Sequence, residues 1–404
     1  MYLPFKFFKF IFCTLLLINL ILCYDPPKRK FHNSIIIDNR LLIFNGDTNT
    51  TELFYLDLSK SFDNNNLAWS LIPEGSLPVY TERSTAVLSL DNSTIYLIGG
   101  YMRNNITFSY DYSNLVYSYD YRTSAWSTPK IDGGVVPPRQ DMRGVIDNTG
   151  TIYIFGGFNE GSLFNDMNIL QTDSKTWTTL SISKNLPIQC AGYTANILPN
   201  GNIVYIGGIE GVNVYTNVTL VNINQIKLFD TNKHEWSYMN ATGEKIDSRQ
   251  YFTSVLTPDG YIIIFGGTTY AATIAGLADV SPSLAMLDTN KNPFEWSIPS
   301  NSEVNSPPSI YGHSANLYND YMIITFGFNL DTQLNSSQVY LYNIKSNNWV
   351  TTFSPPAISP PAKQTSKALA VGHILCNLII KRKILNTLQM WLIVITIEHT
   401  GIFN

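Results

Sequence analysis

At 404 residues the chain can form one large all-β domain or two average ones, and its net charge of −4 gives it no basic surplus for gripping nucleic acid. Charged residues are scarce while Tyr, Phe and Asn are plentiful, so recognition of a polymer by charge is excluded. Residues 1–23, MYLPFKFFKFIFCTLLLINLILC, set Lys6 and Lys9 against an uncharged run from Phe10 to Cys23, the layout of a secretory leader. That run is short for a membrane span of about 20 residues, and Asp25, Pro26 and Pro27 follow it, so cleavage near Cys23 is expected. Export gives meaning to Asn-x-Ser/Thr triplets at Asn49, Asn92, Asn105, Asn217, Asn240 and Asn335, which are expected glycan acceptors. Cys13 and Cys23 would leave with the leader. Cys190 and Cys376 then support no disulfide framework, and Cys190, in an apolar segment, reads as a buried free thiol.

Beyond the leader one segment is repeated. IYLIGG at 95–100 returns as IYIFGG at 152–157, VYIGG at 204–208 and IIIFGG at 262–267. Each glycine pair is followed by a polar stretch, an apolar strand and a tryptophan, and Trp69, Trp126, Trp177, Trp236, Trp296 and Trp349 fall 51 to 60 residues apart. A period near fifty without helical periodicity predicts six propeller blades. In the third unit the strands are MRGVID, TIYIFGG, DMNILQT and TWTTL, and Asn148–Gly150 turns the first into the second. DNST, PNGN, PDGY and YND hold the same turn in other units, with residues that tolerate positive φ. The glycine pairs are predicted to lie where neighbouring backbones leave no room for a Cβ, and the tryptophans to fill space between wedge-shaped blades. Ser84-Thr85-Ala86, Gly144, Ala191-Gly192 and Ser314-Ala315 suit innermost strands converging on an axis.

The glycine pair, Tyr119-Asp120 with Trp126, Phe229-Asp230 with Trp236, and Gly312-His313-Ser314 resemble the kelch repeat over about residues 31 to 352. Departures are Asn45-Gly46 in the first unit, Gly327 alone between Phe326 and Phe328 in the sixth, and Gln171 in place of an acidic residue. The resemblance, which extends to fungal extracellular kelch proteins within the galactose oxidase/kelch-type superfamily, implies an all-β, six-bladed propeller with four antiparallel strands per blade, spanning 24–353. Which segment seals the ring is open, and residues 24–33 could add a strand. Residues 354–367 read as a Pro-rich stalk. In the apolar tail, 368–404, Lys381, Arg382 and Lys383 leave halves of about 13 or 14 residues, near 21 Å as helix against a bilayer core of roughly 30 Å. A membrane anchor and an aberrant gene end are the two readings of that tail.

Kinship with galactose oxidase implies a copper site of two histidines and two tyrosines, with a Cys-Tyr crosslink. His32, His234, His313, His373 and His399 are the histidines available, and no such site is recognisable, so neither metal nor cofactor is expected. His32 and His313 become neighbours when the ring closes, and hydrogen bonding to backbone is their expected role. Without a catalytic motif, the reading is a non-enzymatic, secreted or cell-surface module binding a protein or carbohydrate ligand. A divergent copper oxidase and an intracellular scaffold are the alternatives. Strand order puts the long connections 101–114, 209–225 and 268–283 on one face. Tyr101, Arg103 and Tyr110 are predicted anchors there, with Arg83, Arg139 and Arg249 as a basic group nearer the channel.

Overall fold

The computed structural model describes residues 24–213, 217–270, 276–300 and 303–356, and the expected leader and apolar tail lie outside these described residues. The main strands fall into six sheets, each built from one contiguous stretch of chain. In the first, Asn33–Ile37, Arg40–Phe44, Leu53–Asp57 and Trp69–Ile72 pair in sequence order, and the other five repeat that antiparallel order outward from an innermost strand. The second strands are buried along almost their whole length, as at Thr151–Phe155 and Tyr261–Phe265. A sheet packed between two others has no wet face, so its central strand reads as a continuous apolar run.

The tryptophan of each fourth strand reaches the end of the second strand in the preceding blade. Trp126 packs on Phe44, Trp236 on Phe155 at 4.5 Å, Trp349 on Phe265, and Trp69 closes the circle on Phe326. Trp177 and Trp296 share clusters with Ile98 and Ile206 in the same relation. The expected role of the tryptophans is therefore seen in every unit.

The glycine pairs mark where blades touch. The second glycine donates its N–H to a carbonyl of the next blade: Gly46 to Thr81, Gly100 to Arg139, Gly157 to Cys190, Gly208 to Arg249, Gly267 to Ile310 and Gly327 to Arg29, at 2.8–3.0 Å. Phe326, not Phe328, completes the sixth pair, since Phe326 and Asn45 hold the first position at φ near +57°, close to the +60° of Gly156. Around Gly157 the fit excludes a side chain, because a Cβ there would stand 2.9 Å from the carbonyl oxygen of Gln140 in its own blade.

Of residues 24–33, only Asn33 joins a blade, as the first residue of its innermost strand, and 24–32 add no further strand. They bridge instead, Tyr24 to Trp69 and Arg29 to Ser336. Ring closure comes from the innermost strands of the first and sixth blades, stitched by Ser34 and Ser314 hydroxyls at 2.7 Å. Outside them Thr352–Phe353 pairs with Phe62–Asp63 and Phe353 stacks on Phe62.

Gly157→Ala should lower stability by about 2–4 kcal/mol, summing a left-handed backbone penalty and a steric clash. Gly161→Ala, also at positive φ but with nothing near the added methyl, should cost only about 1–2 kcal/mol. Urea midpoints of the two variants check this; equal shifts would show that the close approach of the Gln140 carbonyl does not select glycine.

Candidate partner-binding face

One residue per blade lies on a circle around the axis, just before the innermost strand. Phe31, Arg83, Asp141, Gly192, Tyr251 and Gly312 all have φ between +54° and +68°. Each N–H donates to the carbonyl of the previous member, and Phe31 closes the circle by donating to Gly312 at 2.6 Å. Only two of the six are glycine, so four side chains are held in a backbone conformation that disfavours them. Strain of this kind, of order 1–3 kcal/mol per residue, persists where surrounding structure enforces it and clusters at binding sites.

These four side chains meet over the channel mouth. Arg83 Nη1 donates to Asp141 Oδ2 at 2.7 Å and to the Tyr251 hydroxyl at 2.9 Å, and that hydroxyl donates to Asp141 Oδ2 at 3.1 Å. The Arg83 guanidinium also lies 3.8 Å from the Phe31 ring centroid. Burial works against the Arg83 charge, but Asp141 and Tyr251 outweigh it and drive the pKa up. Burial lifts the Asp141 carboxyl above its ordinary value against the pull of Arg83. At the rim Lys30 pairs with Asp47 and lies over the Phe328 ring at 4.7 Å.

Below this lid is a cavity of about 70 Å³, whose walls include His32, His313, Arg143 and Tyr193. His32 Nε2 faces Thr325 Oγ1 at 2.9 Å and His313 Nε2 faces Thr253 Oγ1 at 2.8 Å, so a threonine hydroxyl is a partner of each. Burial holds His313 neutral down to about 3 and His32 well below its usual range, helped for His32 by Arg29, His313 and Arg143. Cys190 is a buried free thiol, its pKa pushed up to about 11 by burial.

The arginines predicted to form one basic group separate into two kinds. Arg139 and Arg249 lie two positions before the axial circle and are buried. Their Nη1 atoms bond the carbonyls of Gly156 and Gly266, and Arg139 also makes a bidentate pair with Asp166. They are clamps within their own blades and leave the surface group. Their equivalent is Arg29, which bonds the Asn45 carbonyl in the same way, while Arg83 sits two residues out of register with all three. The sequence held the signal: aligning each unit on Gly312-His313-Ser314 puts Arg83 and Asp141, rather than Arg139, at the position of Gly312.

The connections predicted as loops partly form paired strands, the first with the segment that precedes the second blade's innermost strand. Tyr101–Asn104 pairs with Val79–Glu82, Ile209–Asn213 with Asn217–Leu220, and Thr269–Tyr270 with Leu277–Ala278. Glu82 is opposite Tyr101, so the first pair stands beside Arg83. On it the Tyr101 and Tyr110 hydroxyls touch, Tyr110 and Tyr112 stack, and Phe108 stacks on Tyr80. Ile106, Phe108 and Tyr110 are nonetheless 83%, 57% and 64% exposed. Arg103 pairs through its backbone with Tyr110.

Comparison with known proteins places the same pattern in a known group. The sequence profile described as Attractin/LZTR1 beta-propeller matches residues 106–376, and the Kelch motif profile matches 82–129. The bovine Kelch domain-containing protein 3 is 26% identical over 260 residues, covering 60% of this chain and 64% of that protein. Bovine Kelch domain-containing protein 10 is 24% identical, covering 53% of this chain and 48% of its own length. The chain therefore spans less than two thirds of these relatives. Among solved structures that of YjhT aligns with a TM-score of 0.60 at 14% identity, over 80% of this chain and 97% of YjhT, a likeness of fold.

Both histidines are neutral in the folded protein but titrate near 6.5 when unfolded, so the unfolded chain binds more protons below that pH. Stability is full above about pH 6.5 and should fall as pH drops toward 3. The loss for His313 is of the order of a few kcal/mol, and His313→Asn should flatten the decline. Urea midpoints measured between pH 7 and pH 4 test the slope.

Proposed function

Since this chain belongs to the Attractin/LZTR1 beta-propeller family, we propose that it is a non-enzymatic protein-binding module whose partner docks on the face bearing the axial circle. The carrying observation is the exposed apolar ridge Ile106, Phe108 and Tyr110, standing on a paired strand next to the Arg83–Asp141–Tyr251 lid. Apolar and aromatic groups held in water on a rigid base are the anchors that partner pockets bury, and Arg103 on the same strand supplies a charged contact. Export is part of the proposal. It is supported by the leader-like first 23 residues and by the exposure of Asn49, Asn92, Asn105 and Asn240. Asn335 is half-buried, and the Asn217 side chain lies outside the described residues. The tail, 368–404, would add a membrane anchor to this reading. Among the described residues no helix is long and apolar enough to cross a bilayer.

Partners captured by affinity from the native secretome and identified should bind Tyr110→Ala or Phe108→Ala about 1–4 kcal/mol more weakly, while the variants melt with the wild type. Substitutions in the opposite turns, at Asn148 or Asp259, should leave affinity unchanged. A partner lost through the turns and kept by the Tyr110 and Phe108 variants overturns the placement. Digestion with an endoglycosidase specific for Asn-linked glycans should reduce the apparent mass of protein from its native host; an unchanged mass counts against export.

A further inference from the structure

One charge in the axial cavity has no counterpart in the protein. Arg143, two residues beyond the circle in the third blade, lines the cavity and is half-buried, its guanidinium reached by solvent. Among the described residues its side chain has no hydrogen-bond or ion-pair partner. The enclosed cations are all answered. Arg83 has Asp141, Arg139 has Asp166, Lys227 has Glu210, and Arg29 and Arg249 have backbone carbonyls. A guanidinium stays charged at any ordinary pH, and one that lines a cavity with no acceptor from the protein is open to an anion from solvent.

The surroundings supply none. His32 and His313 are neutral, Asp141 is committed to Arg83, and Asn33 donates its amide to Ser84. Burial lowers the Arg143 pKa, and the Tyr193 phenol offsets this in part. His32 Nδ1 is buried without a partner. If Nε2 accepts from Thr325, Nδ1 carries the proton and can donate.

We propose that a small inorganic anion, of chloride size, occupies the axial cavity against the Arg143 guanidinium. The cavity of about 70 Å³ holds such an ion with a few waters and is too small for a sugar ring or a peptide segment. Arg83, Asp141 and Tyr251 form part of the same cavity wall, and their hydrogen bonds to one another leave Arg143 to the ion.

The test takes the purified full chain in sodium gluconate, whose anion is too large for the cavity, and exchanges gluconate for chloride at constant ionic strength. The wild type should gain about 2 °C in melting temperature per tenfold chloride once the site begins to fill, and the chloride NMR line should broaden saturably. Arg143→Met and Arg143→Gln should show neither response. A flat wild-type response, or one that survives in either variant, overturns the assignment. Should both variants fail to fold, the wild-type line decides: saturable broadening relieved by nitrate, an anion of similar size, supports the site, and unbroadened chloride overturns it.

Discussion

The fold depends on the amide that each unit's second glycine donates across to the next blade. Sheets of a propeller share no strand pairing along their faces, so side-chain packing alone would let them slide. A backbone bond fixes both height and angle at the inner edge, where a small rotation would otherwise grow toward the rim. Each bond is worth only about 1 kcal/mol net, but an unpaired amide buried in that seam would cost more. The same glycine abuts a carbonyl of its own blade, as Gly157 does Gln140, so the two strands that meet the axis are locked by one residue.

Once blades are fixed in this way, the residues two beyond the accepting carbonyls are carried to the axis, and their own backbone bonds close a circle. The left-handed turn required there would suit glycine six times over. Gly192 and Gly312 comply, whereas Phe31, Arg83, Asp141 and Tyr251 accept strain and gain a position over the channel mouth. The interlocked Arg83–Asp141–Tyr251 bonds return part of that cost. What the chain obtains is a polar lid in place of an open pore.

The period, the glycine pairs and the tryptophans were legible because each serves a contact repeated in every blade, and repetition is visible without coordinates. Register within a unit was less so. TERST and PPRQDMRG both place arginine shortly before an innermost strand, and only alignment on the Gly-His-Ser position separates Arg83 from Arg139. The short paired strands on the long-loop face escaped for a different reason. Strands of two to five residues, such as Tyr101–Asn104, are too short to carry a period, and their pairing joins connections from different parts of a unit. Sealing of the ring was equally hidden, since the Phe62 and Phe353 stack joins segments with no repeat character.

Alternate positions around the circle give arginine three different roles. Two residues before it, Arg29, Arg139 and Arg249 turn into their own blades and hold the carbonyl at the first position of the glycine pair. On the circle, Arg83 reaches a carboxylate in the next blade and the Tyr251 hydroxyl three members away. Two residues after it, Arg143 enters the cavity with no partner. Asp141 is the carboxylate on the cavity wall, and it is bound to Arg83. A chain with a net charge of −4 therefore carries a positive interior along its axis, walled by low-dielectric sheets that concentrate the field there. Overall charge, which argued against polyanion binding, is thus silent about the channel, where a single unpaired guanidinium sets the sign.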